Sequence, residues 1–248
     1  MPRSRDLSWD GCLNVRDLGG HPTEDGEETR WGAIVRSDSV RELTDEGWQT
    51  VVRHGVRTIV DLRTARELEA DPPADLPVEV LHVPFIEDDE AVFEEADKAG
   101  MAAPDPASGT RDVYLIFLER FKENVAAAVR AVAKASDGAV VIHCMGGKDR
   151  TGLVTAFLLR LAGVPVAEIA IDYALSEDRL RPRHEAWFAG AADDTELARL
   201  RRMAATPAAT MVGVFEELDR RYGGVEGYLR AAGLTDEELA LARQLLRD

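Results

Sequence analysis

Cysteine is scarce in this sequence: 248 residues contain two, Cys12 and Cys144. A small scaffold held by disulfides needs more, so a reducing compartment is the expectation. Positive charge is also short. Thirty Lys and Arg face 46 Asp and Glu, giving a net charge of -16. A duplex nucleic-acid binder would carry a basic face, and none is visible, so nucleic acid is excluded as a partner. No stretch approaches the ~20 apolar residues of a membrane-spanning helix. The longest candidate, Leu153 to Val166, is interrupted by Arg160 and by Gly163-Val164-Pro165. Met1 to Asn14 has arginines but no apolar run, which is not the pattern of a signal peptide. The five histidines (His21, His54, His82, His143, His184) are scattered. No His-Glu-x-x-His or Cys-x-x-Cys pair occurs, so no metal site and no cofactor are expected. A soluble cytoplasmic protein follows, with secretion by an unmarked route left open.

What is present suits one domain over residues 1–248. Hydrophobic residues at 45% supply a core, and charged residues at 31% a solvated surface. Residues 11–32, rich in Gly and charge, read as an ordered arm of turns. Strands are expected at Ala33 to Arg36, Val56 to Leu62, Val78 to Phe85 and Ala139 to His143. Leu43 to His54 reads as a helix capped by Thr44 and stopped by Gly55. Ala65 to Ala70 is one or two helical turns before Asp71-Pro72-Pro73. Composition changes from Ile86 to Arg111, which begins acidic and ends in a Pro/Ala/Ser/Gly-rich stretch, Ala102 to Thr110. It reads as an insertion, part helix and part flexible loop. Asp112 to Ala135 is predicted as one long helix, and Arg150 to Leu161 and Val166 to Leu175 as two more. The remainder is helical with breaks at Pro182, Pro207 and Gly223-Gly224, and Thr235 with Glu238 makes a capping box. Strands alternating with helices give an α/β fold, a central, mostly parallel sheet covered on both faces. Residues 86–112 and 180–207 are expected to form a helical lid, with Arg179, Arg181 and Arg183 lending charge.

The chemistry concentrates in His143-Cys144-Met145-Gly146-Gly147-Lys148-Asp149-Arg150-Thr151-Gly152, which joins a strand to a helix. Successive backbone N–H groups in a tight loop make an anion-binding concavity, and the following helix adds its positive end. Gly146 and Gly147 let the backbone curl. Arg150 presents a planar fork to two phosphate oxygens. A thiol placed at such a helix end beside cations favours its thiolate, so Cys144 reads as a nucleophile that attacks phosphorus in line. His143 is read as orienting the loop, and Thr151 as donating to the sulfur and easing its departure. An inert buried cysteine is the plain alternative. His before Cys, the paired glycines and Thr-Gly after Arg argue against it. A nucleotide-binding Walker loop does not fit, since the earlier glycine and the Ser/Thr directly after Lys148 are missing.

The segment resembles the phosphate loop of the protein-tyrosine phosphatase superfamily, most closely the bacterial atypical phosphatases with a Lys-Asp-Arg loop. Other stretches agree in order: Asn14-Val15-Arg16-Asp17-Leu18-Gly19-Gly20, Arg36-Ser37-Asp38, Val60-Asp61-Leu62-Arg63 with Glu67, Asp172-Tyr173 to Ser176, and Tyr222-Gly223-Gly224 onward. The resemblance implies a cysteine-dependent phosphatase acting through a phosphocysteine intermediate. Implied substrates are phosphotyrosine proteins, with phosphoserine/threonine, phosphoinositide lipids and small esters beyond them. The leaving oxygen needs a proton. Asp149 holds the position of the loop acid proposed in this family, and the cluster Glu87, Asp88, Asp89 is the alternative, where related enzymes carry a mobile acid loop. Lys148 reads either as a solvated charge or as a second cation for highly phosphorylated head groups. Arg16, Asp17, Asp61 and Arg63 read as braces of the loop. Cys12 is either a small buried hydrophobe or a partner that traps Cys144 in a disulfide. A rhodanese-type sulfurtransferase is disfavoured by Arg150-Thr151-Gly152 and the arm, and a phosphate-binding pseudoenzyme in a signalling complex by the intact Cys144 and Arg150.

Overall fold

The computed structural model describes residues 3–71 and 78–247. Five strands form one sheet: β1 (Arg16–Asp17), β2 (Ile34–Ser37), β3 (Val56–Asp61), β4 (Glu79–His82) and β5 (Ala139–His143), in the order β1-β2-β5-β3-β4. Only β1 runs antiparallel, against β2; the other pairings are parallel. The central strand β5 reads as an unbroken apolar run from Ala139 to Ile142 because both sheet faces are covered. In β5, Val140 and Ile142 enter the larger core, with the helices after β4, while Ala139 and Val141 enter a smaller one with Trp9, Val35 and Ile59. The period of two along the strand sends alternate side chains to opposite layers.

Helix α1 (Asp45–Arg53) begins at Thr44, whose hydroxyl accepts from the Gly47 amide, and ends before Gly55. Helix α2 (Ala65–Ala70) carries a capping box, Thr64 with Glu67, so Glu67 is held at the first turn. Pro72 and Pro73, expected to break this helix, lie outside the described residues. Strand β4 is shorter than Val78 to Phe85.

The stretch 86–135 folds differently from its reading. It forms α3 (Glu90–Ala102), α4 (Pro106–Arg120) and α5 (Lys122–Ala133). Ala102 to Thr110 is mostly the start of α4: Asp105 caps it and Pro106 occupies the first turn, where a missing N–H costs nothing. The long helix expected over Asp112 to Ala135 is broken at Phe121, which leaves helical geometry at φ -120°, ψ 33°. No glycine or proline marks this break. Phe121 is buried in the core beside Phe117, so tertiary packing sets the turn.

Helix α6 (Arg150–Leu161) is buried almost throughout and stops at Gly163, φ 89°. Helix α7 (Val166–Arg179) runs a turn beyond Leu175. The break expected at Pro182 is present: α7 ends at Arg179, and Pro182 sits in the first turn of α8 (Arg181–Ala189). Then follow α9 (Asp194–Ala204), α10 (Ala208–Tyr222), α11 (Val225–Ala231) and α12 (Asp236–Gln244), with the Thr235–Glu238 box in place. The β5–loop–α6 unit therefore sits at the carboxyl edge of a parallel sheet, where open α/β folds bind ligands.

Candidate active site

Residues 144–150 wrap between β5 and α6. Their carbonyls are turned outward, each held by a different part of the chain. Met145 O accepts from the Ser39 amide (3.0 Å) and from Arg183 (3.2 Å). Gly146 O accepts from the Asn14 side chain at 3.0 Å. Gly147 O accepts from Arg36 at 2.7 Å. The amides of Met145 to Arg150 donate to no group among the described residues. Free amides on the inner side, closed by a helix N-terminus, form an anion-binding concavity.

Only one of the two glycines is required by geometry. Gly147 has φ +62°, and a Cβ there would lie 2.3 Å from Ser37 O. At Gly146 the nearest heavy atom to a Cβ would be 3.8 Å away. Gly147→Ala is therefore expected to lose most activity and to unfold at lower temperature, with about 1–3 kcal/mol of backbone strain before the clash is counted. Gly146→Ala should keep the wild-type thermal midpoint. Equal midpoints for the two variants would contradict this assignment.

Cys144 lies at the floor, 2% exposed, at the end of β5. Arg150 faces it from the first turn of α6, gripped by Glu67 through two bonds, Nη1–Oε2 at 2.5 Å and Nη2–Oε1 at 2.7 Å. Burial works against the guanidinium charge. The Glu67 pair, Cys144 and Asp149 outweigh it, so the pKa of Arg150 is raised. The fork is thus aimed by a residue from α2, 83 positions away in sequence. His143 is buried; its Nδ1 lies 3.2 Å from the Cys144 carbonyl oxygen and its Nε2 3.6 Å from Asp61. Burial lowers its pKa despite Asp61, so the ring is neutral near pH 7. Asp61 in turn is clasped by Arg63 at 2.8–3.0 Å. Thr151 Oγ1 is buried and unpartnered among the described residues; it makes no bond to the Cys144 sulfur in this structure.

Asp149 is half-exposed towards the cavity. Its Oδ1 accepts from Tyr114 Oη at 2.6 Å and lies 3.5 Å from Lys148 Nζ. Lys148 Nζ donates to Met203 O at the end of α9, so it is tied down rather than freely solvated. The three acidic residues read as alternatives to Asp149 are dispersed. Asp89 caps α3 through the Ala91 and Val92 amides. Glu87 faces Asn124 at 3.5 Å. Asp88 lines the cavity, but its carboxylate accepts from the Arg66 amide, the main cause of its lowered pKa.

A cavity of about 1050 Å³ rises above the loop. Phe93 and Met101 of α3 line it from one side, and Trp187 of α8 and Met203 of α9 from the other. Both segments singled out by composition, 86–112 and 180–207, thus border the cavity that holds Cys144. Arg202 joins them, donating to the carbonyls of Gly100, Ala103 and Asp105. Of the three arginines read as lending charge, Arg183 reaches the loop, while Arg179 pairs with Asp6 and Arg181 with Asp178.

Behind the loop lies a buried charge cluster. Asp172 of α7 accepts from Arg16 at 2.8 Å and Arg36 at 2.7 Å, and Arg16 also donates to Asn14 Oδ1 at 2.6 Å. Burial opposes the charge of Asp172, but Arg16 and Arg36 outweigh it and hold its carboxyl well below the usual carboxylate range. Burial and neighbouring Arg36 push Arg16 down to about 10, since two cations share one anion. Asp17, read as a brace, instead holds the arm's turns through the Gly19 and Gly32 amides. Both thiols are free. Cys12 donates to Ser39 O, and burial, with Asp38, pushes its thiol up to about 12, so it stays protonated. Among the described residues no cluster of His, Cys, Asp and Glu suits a metal ion, and no helix is long and apolar enough to cross a membrane.

A thiol beneath free amides and an aimed arginine, at the carboxyl edge of a mostly parallel sheet, defines a hydrolase of the protein-tyrosine-phosphatase type. The chain belongs to the tyrosine phosphatase family: the sequence model of that family matches residues 7–248. It is 33% identical over 219 residues to a tyrosine-protein phosphatase of Nostoc commune, covering 84% of this chain and 71% of the relative. It is 29% identical over 273 residues to the triple specificity protein phosphatase PtpB of Mycobacterium tuberculosis, covering 95% and 97% respectively.

Two contacts of the candidate site were invisible in the sequence. Tyr114 is a lone tyrosine 35 residues from Asp149 and carries no local signal. Glu67 stood in a family-like stretch, but its grip on Arg150 needed the fold. The Thr64-x-x-Glu67 capping box was a readable sign that this carboxylate is fixed in place.

Proposed function

We propose that the chain hydrolyses phosphate monoesters through a phosphocysteine intermediate. The observation that carries this reading is the Cys144 sulfur beneath the free amides of residues 145–150, beside an Arg150 fork already aimed by Glu67. The amides and the fork hold the phosphate oxygens. Cys144 attacks phosphorus, an S–P bond forms, and the ester P–O bond breaks as the leaving oxygen takes a proton from Asp149. A water then attacks the phosphocysteine and gives its proton to the Asp149 carboxylate, and the S–P bond breaks to return the thiolate. Thr151, whose buried Oγ1 is otherwise unpartnered, is the donor that eases departure of the sulfur. His143 keeps the loop's first peptide in place as a neutral ring.

Asp149 is favoured over Glu87, Asp88 and Asp89 as the acid because it alone of the four stands inside the loop and is not spent on an amide cap. Phosphotyrosine is the first substrate. Phosphoserine, phosphothreonine and phosphoinositides are supported by the roomy cavity, by Lys148 beside Asp149, and by the relative named for triple specificity. Helices α3, α8 and α9 act as a lid, supported by their place on the cavity wall. Free thiols at Cys12 and Cys144 support a reducing, cytoplasmic setting. Hydrolysis of p-nitrophenyl phosphate in the presence of a chelator separates this reading from a pseudoenzyme and from a sulfurtransferase.

Asp149→Asn is expected to lose about 10²–10⁴-fold on an alkyl phosphate, the usual worth of a positioned acid, and far less on p-nitrophenyl phosphate. The alkyl oxygen needs the proton, and p-nitrophenolate scarcely does. Steady-state rates on both esters decide it, and equal losses would move the acid to another group.

A further inference from the structure

Asp149 is poorly anchored by its own loop. It occupies the N-cap position of α6, yet its side chain makes no capping bond. Its backbone therefore fixes where the carboxyl is, and not which way it points. An acid that must present one oxygen to a leaving group needs that direction set.

The direction comes from outside the loop. Tyr114 of α4 places its hydroxyl 2.6 Å from Asp149 Oδ1, and Tyr173 of α7 places its own 2.9 Å from Tyr114 Oη. The rings meet edge to face, with centroids 6.3 Å apart and planes at 83°, and each is 1% exposed. Tyr114 has one hydrogen. An ionised carboxylate only accepts, so that hydrogen goes to Asp149, and Tyr173 must donate to Tyr114. Burial foremost, then the charge of Asp149, raises the pKa of both phenols, so both remain donors. Apart from Tyr114 and the more distant Lys148, no side chain holds the Asp149 carboxyl among the described residues.

We infer that Tyr114, backed by Tyr173, is a positioning residue that aims the Asp149 carboxyl at the leaving oxygen and holds the charge left on it. This rests on the reading of Asp149 as proton donor. With Oδ1 engaged by Tyr114, the proton that is transferred sits on Oδ2. As the ester P–O bond breaks, that O–H bond breaks too, the proton passes to the leaving oxygen, and the electron pair stays on the carboxylate. The Tyr114 hydrogen stays on Tyr114 throughout, and its bond to Oδ1 strengthens as charge arrives. Tyr173 lies in the core and serves no proton; it keeps the Tyr114 hydroxyl from turning away. The acid's aim thus depends on how α4 and α7 pack, and not on the loop alone.

The test compares phenyl phosphate, a poor leaving group, with p-nitrophenyl phosphate in five proteins: wild type, Asp149→Asn, Tyr114→Phe, Tyr173→Phe and the Asp149→Asn/Tyr114→Phe double variant. A hydrogen bond to a charged group of this kind corresponds to a loss of roughly tenfold to a hundredfold. Tyr114→Phe should lose about that much on phenyl phosphate and under about threefold on p-nitrophenyl phosphate. Tyr173→Phe, which spares the Tyr114–Asp149 bond, should show the same asymmetry at smaller size. In the Asp149→Asn background, Tyr114→Phe should cost nothing further on either ester, because its only route to the reaction has gone. Equal losses on the two esters in Tyr114→Phe, or losses that multiply in the double variant, would make the tyrosines plain core residues and overturn the inference. Asymmetry in Asp149→Asn with none in either tyrosine variant overturns the inference and leaves the acid in place. Symmetric losses in Asp149→Asn overturn both. If Tyr114→Phe unfolds, Tyr173→Phe decides by the same asymmetry.

Discussion

Cys144→Ser is expected to abolish turnover, on the order of 10⁴-fold or more, while the folded protein still binds inorganic phosphate. The two halves of this expectation come from different atoms. Turnover needs a thiolate, which serine does not supply at neutral pH. Binding needs the amides of Met145 to Arg150 and the fork of Arg150, none of which the substitution touches. Oxygen is smaller than sulfur, and Cys144 is buried, so the exchange leaves a small gap and no clash. Stopped assays on p-nitrophenyl phosphate measure the first half, and phosphate-induced stabilisation against heat the second. Residual turnover within a hundredfold of wild type would remove the covalent route. Loss of phosphate binding together with turnover would show that the sulfur holds the loop together.

Asp172→Asn should be the most damaging substitution away from the loop. It leaves Arg16 and Arg36 buried with no counter-charge, a situation that costs about 3–5 kcal/mol. For a chain of this size that corresponds to a fall of roughly 6–20 °C in Tm. The loop should suffer as well, because Arg36 holds Gly147 O, and Arg16 holds the Asn14 that holds Gly146 O. Asparagine keeps the shape, so the loss reports charge and not volume. The acid limb of stability supplies a second check. Asp172 has a depressed pKa in the folded state, so its contribution is whole above the ordinary carboxylate value of 3.8 and declines as pH falls below it. The gap between wild type and Asp172→Asn should therefore be widest near neutral pH and shrink in strong acid. A thermal midpoint within a degree or two of wild type would contradict the role given to Asp172.

The sequence made the loop and the sheet readable for a physical reason. Residues 139–161 are a buried strand, a glycine-bearing turn and a buried helix, and each has a local signature that does not depend on distant contacts. The N-caps at Thr44 and Thr235 are similarly local, and they lie where the spacing put them. The turn at Phe121 was not readable because nothing in its own sequence breaks a helix. The start of α4 was misread because Pro106 and Ser108 suit both a loop and a first helical turn. Within the candidate site, the meeting of Cys144 and Arg150 on one loop was legible because both belong to a single strand–turn–helix segment. The bonds Arg150–Glu67 and Asp149–Tyr114 were not, since each joins segments that only the tertiary fold brings together. The requirement at Gly147 was legible as a pair with Gly146, and only the nearness of Ser37 O separates the two.

The outward-held carbonyls of the loop bear on whether this site is portable. A peptide of residues 139–161 contains Cys144, Arg150 and all the free amides, yet it lacks Asn14, Arg36, Ser39 and Arg183, the groups that hold the loop carbonyls. Released from them, the carbonyls compete for the same inner space as the amides, and the concavity loses its sign. Transplanting this loop into another parallel sheet would therefore require four donors from three separate regions of chain to be rebuilt around it. The same dispersal means that damage to the arm at Asn14 or to α8 at Arg183 would be felt as a change of loop shape, at a distance in sequence of more than 30 residues from the sulfur.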